Sequence, residues 1–284
     1  MKNENGFTLY ELMVSAAISS VVLLIIHSIY RSQQKSYVAQ EQVCAIQQNL
    51  RGGVCCMERE IRMAGYDPQA SGNFGIADVS PDEDGNGTIG FTLDDNLDDT
   101  TDEMDGNGKV DDHETFVYLL YDYPTDAPDG ILDLGRKYGG RRQLVAKNIE
   151  ALGLAYAFDA TGDLDNSLNR DRNGNIIWAI DTDNDKKLDA NLDTDNDGDI
   201  DINDNQGGET LAHADNGGLP DVAFSDIRAV RIWLLARGDR GDPDFVNGKT
   251  YIVSNQRITP NDGFQRRLLI STVRCRNMGV SPNN

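Results

Sequence analysis

From Phe7 to Tyr30 the chain is an almost unbroken apolar run, which as a helix rises about 36 Å at 1.5 Å per residue, enough to cross a bilayer core. The pattern then changes period. Val43, Ile46, Leu50, Val54, Met57, Ile61 and Ala64 recur at steps of three and four among Gln, Arg and Glu, so one apolar stripe runs along a polar helix and calls for a covering layer. Gly52-Gly53 interrupts the stripe and predicts a bend or local loosening, and Gly65 with Pro68 supplies the stop. Farther on come β-type runs at 116–121, 151–158, 229–236 and 267–275. In the third, Val230, Ile232 and Leu234 alternate with Arg231 and Trp233, as in a strand with one face on a core. A helix laid on an antiparallel sheet is the economical arrangement, so the expected class is α+β.

Composition narrows the partners. The 284 residues fit one large or two small domains, and Asp plus Glu outnumber Lys plus Arg by 47 to 26 for a formal charge of −21. That sign repels a nucleic-acid backbone at long range, so nucleic acid is not an expected partner of the body. The excess is concentrated in two Asp-rich stretches, about 78–114 and 159–217, which points to divalent cations. Cys44, Cys55, Cys56 and Cys275 form neither a zinc pattern nor a dense disulfide framework.

Two features of the N-terminus do not suit a generic anchor. Glu11 sits inside the apolar run, where a carboxylate is costly unless paired and is a functional-site candidate for that reason. Met1 to Gly6 is short and polar with no apolar core, which excludes an ordinary secretory signal. Lys2 is offset by Glu4 while Arg31 and Lys35 follow the span, so the positive-inside rule gives no orientation.

The string Gly6-Phe7-Thr8-Leu9-Tyr10-Glu11-Leu12-Met13 resembles the type IV prepilin signature. The resemblance implies that prepilin peptidase cuts after Gly6 and methylates Phe7, and that Glu11 pairs during assembly with the free amine of a neighbouring subunit. It divides the chain into a leader (1–6), a transmembrane and assembly helix (7–30), an amphipathic helix (31–66) and a pilin-like β domain (67–284). Tyr10 departs from the aliphatic residue usual there. Arg62-Met63-Ala64-Gly65-Tyr66-Asp67, the run from Ala229 to Arg237, and Thr272-Val273-Arg274-Cys275-Arg276-Asn277 are similar to PilW-like minor pilins, with the J-type pseudopilin of type II secretion as the competing assignment. Implied partners are other pilins and minor pilins, the peptidase, the inner membrane and the pilus assembly platform. The implied location is the inner membrane, with the C-terminal domain periplasmic, and the extracellular filament. Pilin sheets face the helix from their last strand, so the resemblance also implies a bond from Cys275 to Cys55 or Cys56; Cys44 and Cys55 lie about 16 Å apart along a helix and cannot bridge.

Spacing carries the metal candidates. Asp193, Asp195, Asp197, Asp199 and Asp201 surround the turn glycine Gly198, with Asp204 at the twelfth position, which is the arrangement of a calcium loop with Asp in place of the closing Glu. A second candidate runs Glu103, Asp105, Asn107, Lys109, Asp111 and Glu114. Two shorter ones are Asp82, Asp84 and Asn86, and Asp181, Asp183 and Asp185, the last with Lys186 at the glycine position. An all-oxygen donor set selects calcium before magnesium. The competing reading is a set of acidic insertions without a site.

A membrane-anchored calcium-dependent hydrolase or adhesin would share the span and the acidic loops. The chain contains no G-x-S-x-G and no H-E-x-x-H, and His27, His113 and His213 are scattered. Arg240-Gly241-Asp242 is an adhesion-type triplet of a kind that arises by chance in Asp-rich sequence. No catalytic residue is assigned, and the chain is expected not to be an enzyme.

Overall fold

A computed structural model describes residues 8–68, 70–80, 86–94, 108–160, 167–214 and 219–279. Its first element, α1, runs without interruption over Leu9–Ile61. The chain divides into two units, Met1–Cys44 and Ala45–Asn284, with the boundary inside α1. In the first unit the described apolar side chains of the 8–40 segment are exposed, Leu9, Leu12, Leu23, Leu24 and Ile26 among them by more than half. This helix is long and apolar enough to cross a membrane, and such a continuous apolar surface requires a non-aqueous surrounding or a partner.

In the second unit the chain after α1 forms β1 (Ile76–Asp78), β2 (Ile89–Thr92), β3 (Thr115–Asp122), β4 (Leu132–Tyr138) and β5 (Arg141–Ala146). These make an antiparallel meander in sequence order. There follow β6 (Ile149–Phe158), the two-residue strands β7 (Ala179–Ile180), β8 (Lys187–Leu188), β9 (Ala190–Asn191), β10 (Glu209–Thr210) and β11 (Val222–Ala223), and then β12 (Ile227–Arg237), β13 (Tyr251–Val253), β14 (Gln256–Ile258) and β15 (Arg266–Arg274). The second large sheet has the order β10-β9-β7-β6-β12-β15, while β8 pairs with β11 and β13 with β14. Each of the four expected β runs is a strand, but on two sheets in place of one.

The C-terminal part of α1 is covered as its stripe requires. Ile46, Leu50, Val54, Met57 and Ile61 are buried in one cluster with Phe91, Tyr118 and Leu134 of the first sheet and Leu152, Val230, Ile232 and Leu234 of the second. Glu60 lies within this contact at 8 % exposure. It accepts the Tyr118 hydroxyl at 2.6 Å and pairs with Arg136, which satisfies a charge that would otherwise be costly to bury.

Gly52-Gly53 does not break the helix. Gly53 is where the layers touch most closely, since a Cβ there would meet Leu134 Cδ2 at 3.1 Å and Ala146 Cβ and Leu234 Cδ1 at 3.3 Å. Close approach, and not loosening, accounts for that residue. Gly65 ends the helical region at φ +76°, as a C-terminal glycine should.

The one-faced strand expected at 229–236 is buried on both faces. Ala229, Trp233 and Leu235 join Ala151, Ala155 and Ala157 in a second cluster, which is closed by Trp178, Ile180, Ala190 and Leu192 from the acidic stretch and by Tyr251 and Val253. The acidic stretch is therefore part of the body: four of its apolar residues cap the back of the second sheet, and Asp181, Asp193 and Asp204 are buried with them while Asp183, Asp185, Asp195 and Asp197 are exposed.

Candidate functional site

Glu11 lies in the first turn of α1, where its Oε2 accepts the backbone N–H of Thr8 at 2.9 Å and the Thr8 hydroxyl at 2.8 Å. The Glu11 N–H donates back to Thr8 Oγ1 at 3.3 Å. This reciprocal pair is a capping box, and it satisfies donors that a helix start otherwise leaves open. Gly6 and Phe7 lie outside the described residues.

The acidic loops form a tandem. Asp181–Leu192 and Asp193–Asp204 are consecutive twelve-residue units with the same residue at positions one to five, nine and eleven. In the second unit, carboxylate oxygens of Asp193, Asp195 and Asp197 lie within 4.8 Å of one another, Asp193 buried and the other two exposed. The Asp193 carboxylate accepts the N–H groups of Asp197 at 3.2 Å and Gly198 at 2.9 Å, and Asp195 and Asp197 accept those two residues along the chain. Burial pushes the Asp193 carboxyl above its ordinary range, with Asp204 adding to the shift and the N–H donors opposing it. Such a set of converging oxygens on a tight turn suits a hard divalent cation.

The first unit repeats this design. Oxygens of Asp181, Asp183 and Asp185 also converge within 4.8 Å, and Asp181 accepts the N–H groups of Asn184 at 2.7 Å and Lys186 at 3.0 Å. Both units are left-handed at positions four and six: Asn184 and Lys186 at φ 63° and 70°, Asn196 and Gly198 at 58° and 94°. They diverge at position seven. Lys187 reaches Asp185 at 3.6 Å and Asp221 at 3.4 Å, so the first loop carries a cation of its own, whereas Asp199 stands at the same place in the second.

Position nine and position twelve exchange work between the units. Asp189 accepts the Thr182 N–H at 3.0 Å and its hydroxyl at 2.6 Å. In the second unit Asp204 does this for Thr194, at 2.8 and 3.2 Å, and its other oxygen accepts the Asp201 N–H at 2.7 Å. Asp204 thus ties the loop's two ends together. Asp201 accepts the N–H of Asn203 at 2.7 Å, so the converging group is Asp193, Asp195 and Asp197, with Asp199 and Asp201 on the same turn.

Of the remaining candidates, Glu103, Asp105, Asn107, Asp82 and Asp84 lie outside the described residues. Glu114 is buried, accepts the Asp111 N–H at 3.0 Å, and is pushed up to about 7 chiefly by burial. Lys109 is exposed. Asn86 is buried against β6, where its Oδ1 accepts the Leu152 N–H at 3.4 Å.

The expected bond from Cys275 to Cys55 or Cys56 is not formed, since all four cysteines are free thiols. Cys275 is buried within electrostatic reach of Tyr156 and Arg228, on the second sheet. Cys55 is exposed, and Cys56 lies within electrostatic reach of Tyr118 of the first.

Comparison with known proteins adds the family. The model of the family Type IV Pilus-assembly protein W, PilW, matches residues 132–277. The chain belongs to the PilW family. The prokaryotic N-terminal methylation motif matches residues 1–26, which span Gly6, Phe7 and Glu11. A solved type IV-like pilin from Thermus thermophilus is similar at 15 % identity and a TM-score of 0.41, covering 82 % of this chain and 98 % of that one. Among curated proteins, none matches.

As a PilW-family minor pilin, the chain is a type IV pilus-assembly protein with an N-terminal methylation signal, a class that interacts with other pilins and is processed by a prepilin peptidase. Its apolar helix and signature suit membrane anchoring and a place in the pilus. The PilW match covers both Asp units and every strand from β4 onward. Two further signals lie in the sequence itself: Thr8-Leu9-Tyr10-Glu11 spells a capping box, and the twelve-residue repeat pairs the Asp181 and Asp193 loops and brings in Asp189.

Proposed function

We propose that the chain is a low-copy subunit at the tip of a type IV pilus or in its priming complex. Prepilin peptidase cuts after Gly6 and methylates Phe7. The 7–30 segment holds the subunit in the inner membrane with the remainder periplasmic until the assembly platform draws it into the filament, where Glu11 meets the amine of a neighbouring subunit. The body has no enzymatic role. Calcium bound at Asp193, Asp195 and Asp197, and more weakly at Asp181, Asp183 and Asp185, neutralises the acidic loops.

The observation that carries this reading is the methylation motif over residues 1–26 on a chain whose body matches PilW. Glu11 is the single acidic residue between Phe7 and Tyr30, and among the described residues its hydrogen-bond partner is the neutral capping residue Thr8, which does not cancel its charge. The long acidic segment bears on position, because a bulky, highly charged surface is hard to repeat along a tightly packed shaft. Immunogold labelling of sheared pili tests it: sparse label at filament ends or in membranes is expected, and dense label along the shaft would contradict the low-copy role.

A further inference from the structure

A half-open groove of about 580 Å³ lies where the end of α1, the start of β12 and the end of β15 meet, and its lining is Arg62, Arg228, Thr272, Arg274, Cys275 and Arg276. Four arginines line this hollow in a chain of net charge −21. Two arginines elsewhere are neutralised by acids, Arg136 by Glu60 and Arg266 by Glu150 and Asp262. Among the described residues, none of the four in the groove has a carboxylate partner.

Arg228 is the innermost, 8 % exposed. Its Nη1 donates to the carbonyls of Ser225 at 2.7 Å and Ile227 at 3.0 Å, while its Nε is buried with no acceptor. Cys275 beside it supplies no counter-charge, because burial pushes its thiol up to about 12 and Arg228 only partly offsets this. A buried guanidinium without an anion is costly, and three more cations at the same hollow repel it. An oxyanion removes both penalties through charge-assisted hydrogen bonds.

We propose that this groove is an oxyanion site that takes a phosphate group. The four arginines come from three separate parts of the fold, and Thr272 lines the hollow with them. A tetrahedral anion can use donors arriving from several sides, whereas a planar carboxylate is served by a single guanidinium fork. The overall negative charge does not forbid this, because screening over about 8 Å at physiological salt leaves the local field to the arginines. Free phosphate and a phospholipid headgroup present the same chemistry.

The test uses the full chain in neutral detergent. Melting temperature is followed against inorganic phosphate with chloride at matched ionic strength as control, and separately against a short-chain phosphatidic acid in the micelle. Phosphate is expected to raise the melting temperature of the natural chain, and Arg274→Gln with Arg276→Gln to weaken the apparent affinity at least about tenfold. Both positions are exposed, so this variant should melt normally in chloride; Arg228→Gln, which could disturb folding, is read only beside it. An arginine-dependent response to phosphatidic acid alone supports the site with a lipid headgroup as source. No response to either compound, or an equal response in the variant, would overturn the proposal.

Discussion

Glu11 and Asp193 pose one physical problem in opposite settings. Glu11 is a single carboxylate in an apolar stretch, and Asp193 is one carboxylate in a crowd. Each is satisfied in the isolated chain by hydrogen-bond donors close in sequence, the N–H and hydroxyl of Thr8 in the first case and the N–H groups of Asp197 and Gly198 in the second. Neutral donors meet the hydrogen-bonding requirement of a carboxylate without cancelling its charge. Asp262 differs, since two guanidinium nitrogens of Arg266 bind it directly. The contrast separates acids that are complete within the chain from acids that, on the proposed reading, await a cation from outside: a neighbour's amine for Glu11 and calcium for the Asp loops.

The largest effect is expected at Glu11. Glu11→Ala should leave cleavage after Gly6 intact and reduce recovery of the chain in sheared pili by at least about tenfold, the scale of a lost charge pair. Glu11→Gln sharpens the point, because Gln can complete the capping box but carries no charge. If Gln restores incorporation, Glu11 serves its own helix and no neighbour.

Next comes the second Asp loop. Ligand that binds only the folded form stabilises it by about 2.7 kcal/mol at a hundredfold excess over its dissociation constant, and extracellular calcium sites reach into the range of about 0.1 to 1 mM. Calcium titrated into the millimolar range should therefore raise the melting temperature of the full chain in detergent, and Asp195→Asn with Asp197→Asn should remove most of that rise. Identical melting in chelator and in several millimolar calcium would mean that the acidic crowd needs no ion.

A smaller change should follow Lys186→Gly. Lys186 holds φ at 70°, a conformation that costs about 1 kcal/mol or more for a residue with a side chain, and glycine occupies the matching place in the second loop. The substitution also removes a positive charge from the loop, so the calcium response should grow. A diminished response would show that the two repeats are not equivalent sites.

Asp262 is the internal control, with the smallest effect. Hydrogen bonding to Arg266 holds its carboxyl below the usual range. It then contributes stability that is present above its unfolded value of about 3.9 and lost as pH falls through the lower, folded one. Asp262→Asn should lower the melting temperature slightly at pH 7 and flatten its decline below pH about 4, with no change in the calcium response.

Much of this was legible in the residues. The stripe from Ile46 to Ile61, the four long strands and the stop at Gly65 follow from periodicity and glycine chemistry, which are local properties. What was not legible depends on distant contacts. Gly53 reads as a weak point until Leu134, Ala146 and Leu234 are seen against it, and Trp233 reads as an outward residue until Trp178 and Leu192 close over it. The acidic stretch hid its anchoring role because its apolar residues are few and widely spaced. Spacing alone likewise cannot tell a ligand from a tie: Asp204 and Asp189 sit at different loop positions yet make the same bonds to Thr194 and Thr182.

The central claim, that this PilW-family chain is a processed filament subunit, is tested most directly at its N-terminus. Peptide mass spectrometry of the chain from cell envelopes and sheared pili should find a terminal peptide that begins at Phe7, carries one added methyl group, and disappears in cells without prepilin peptidase. An intact Met1 in cells that possess the peptidase would contradict the account.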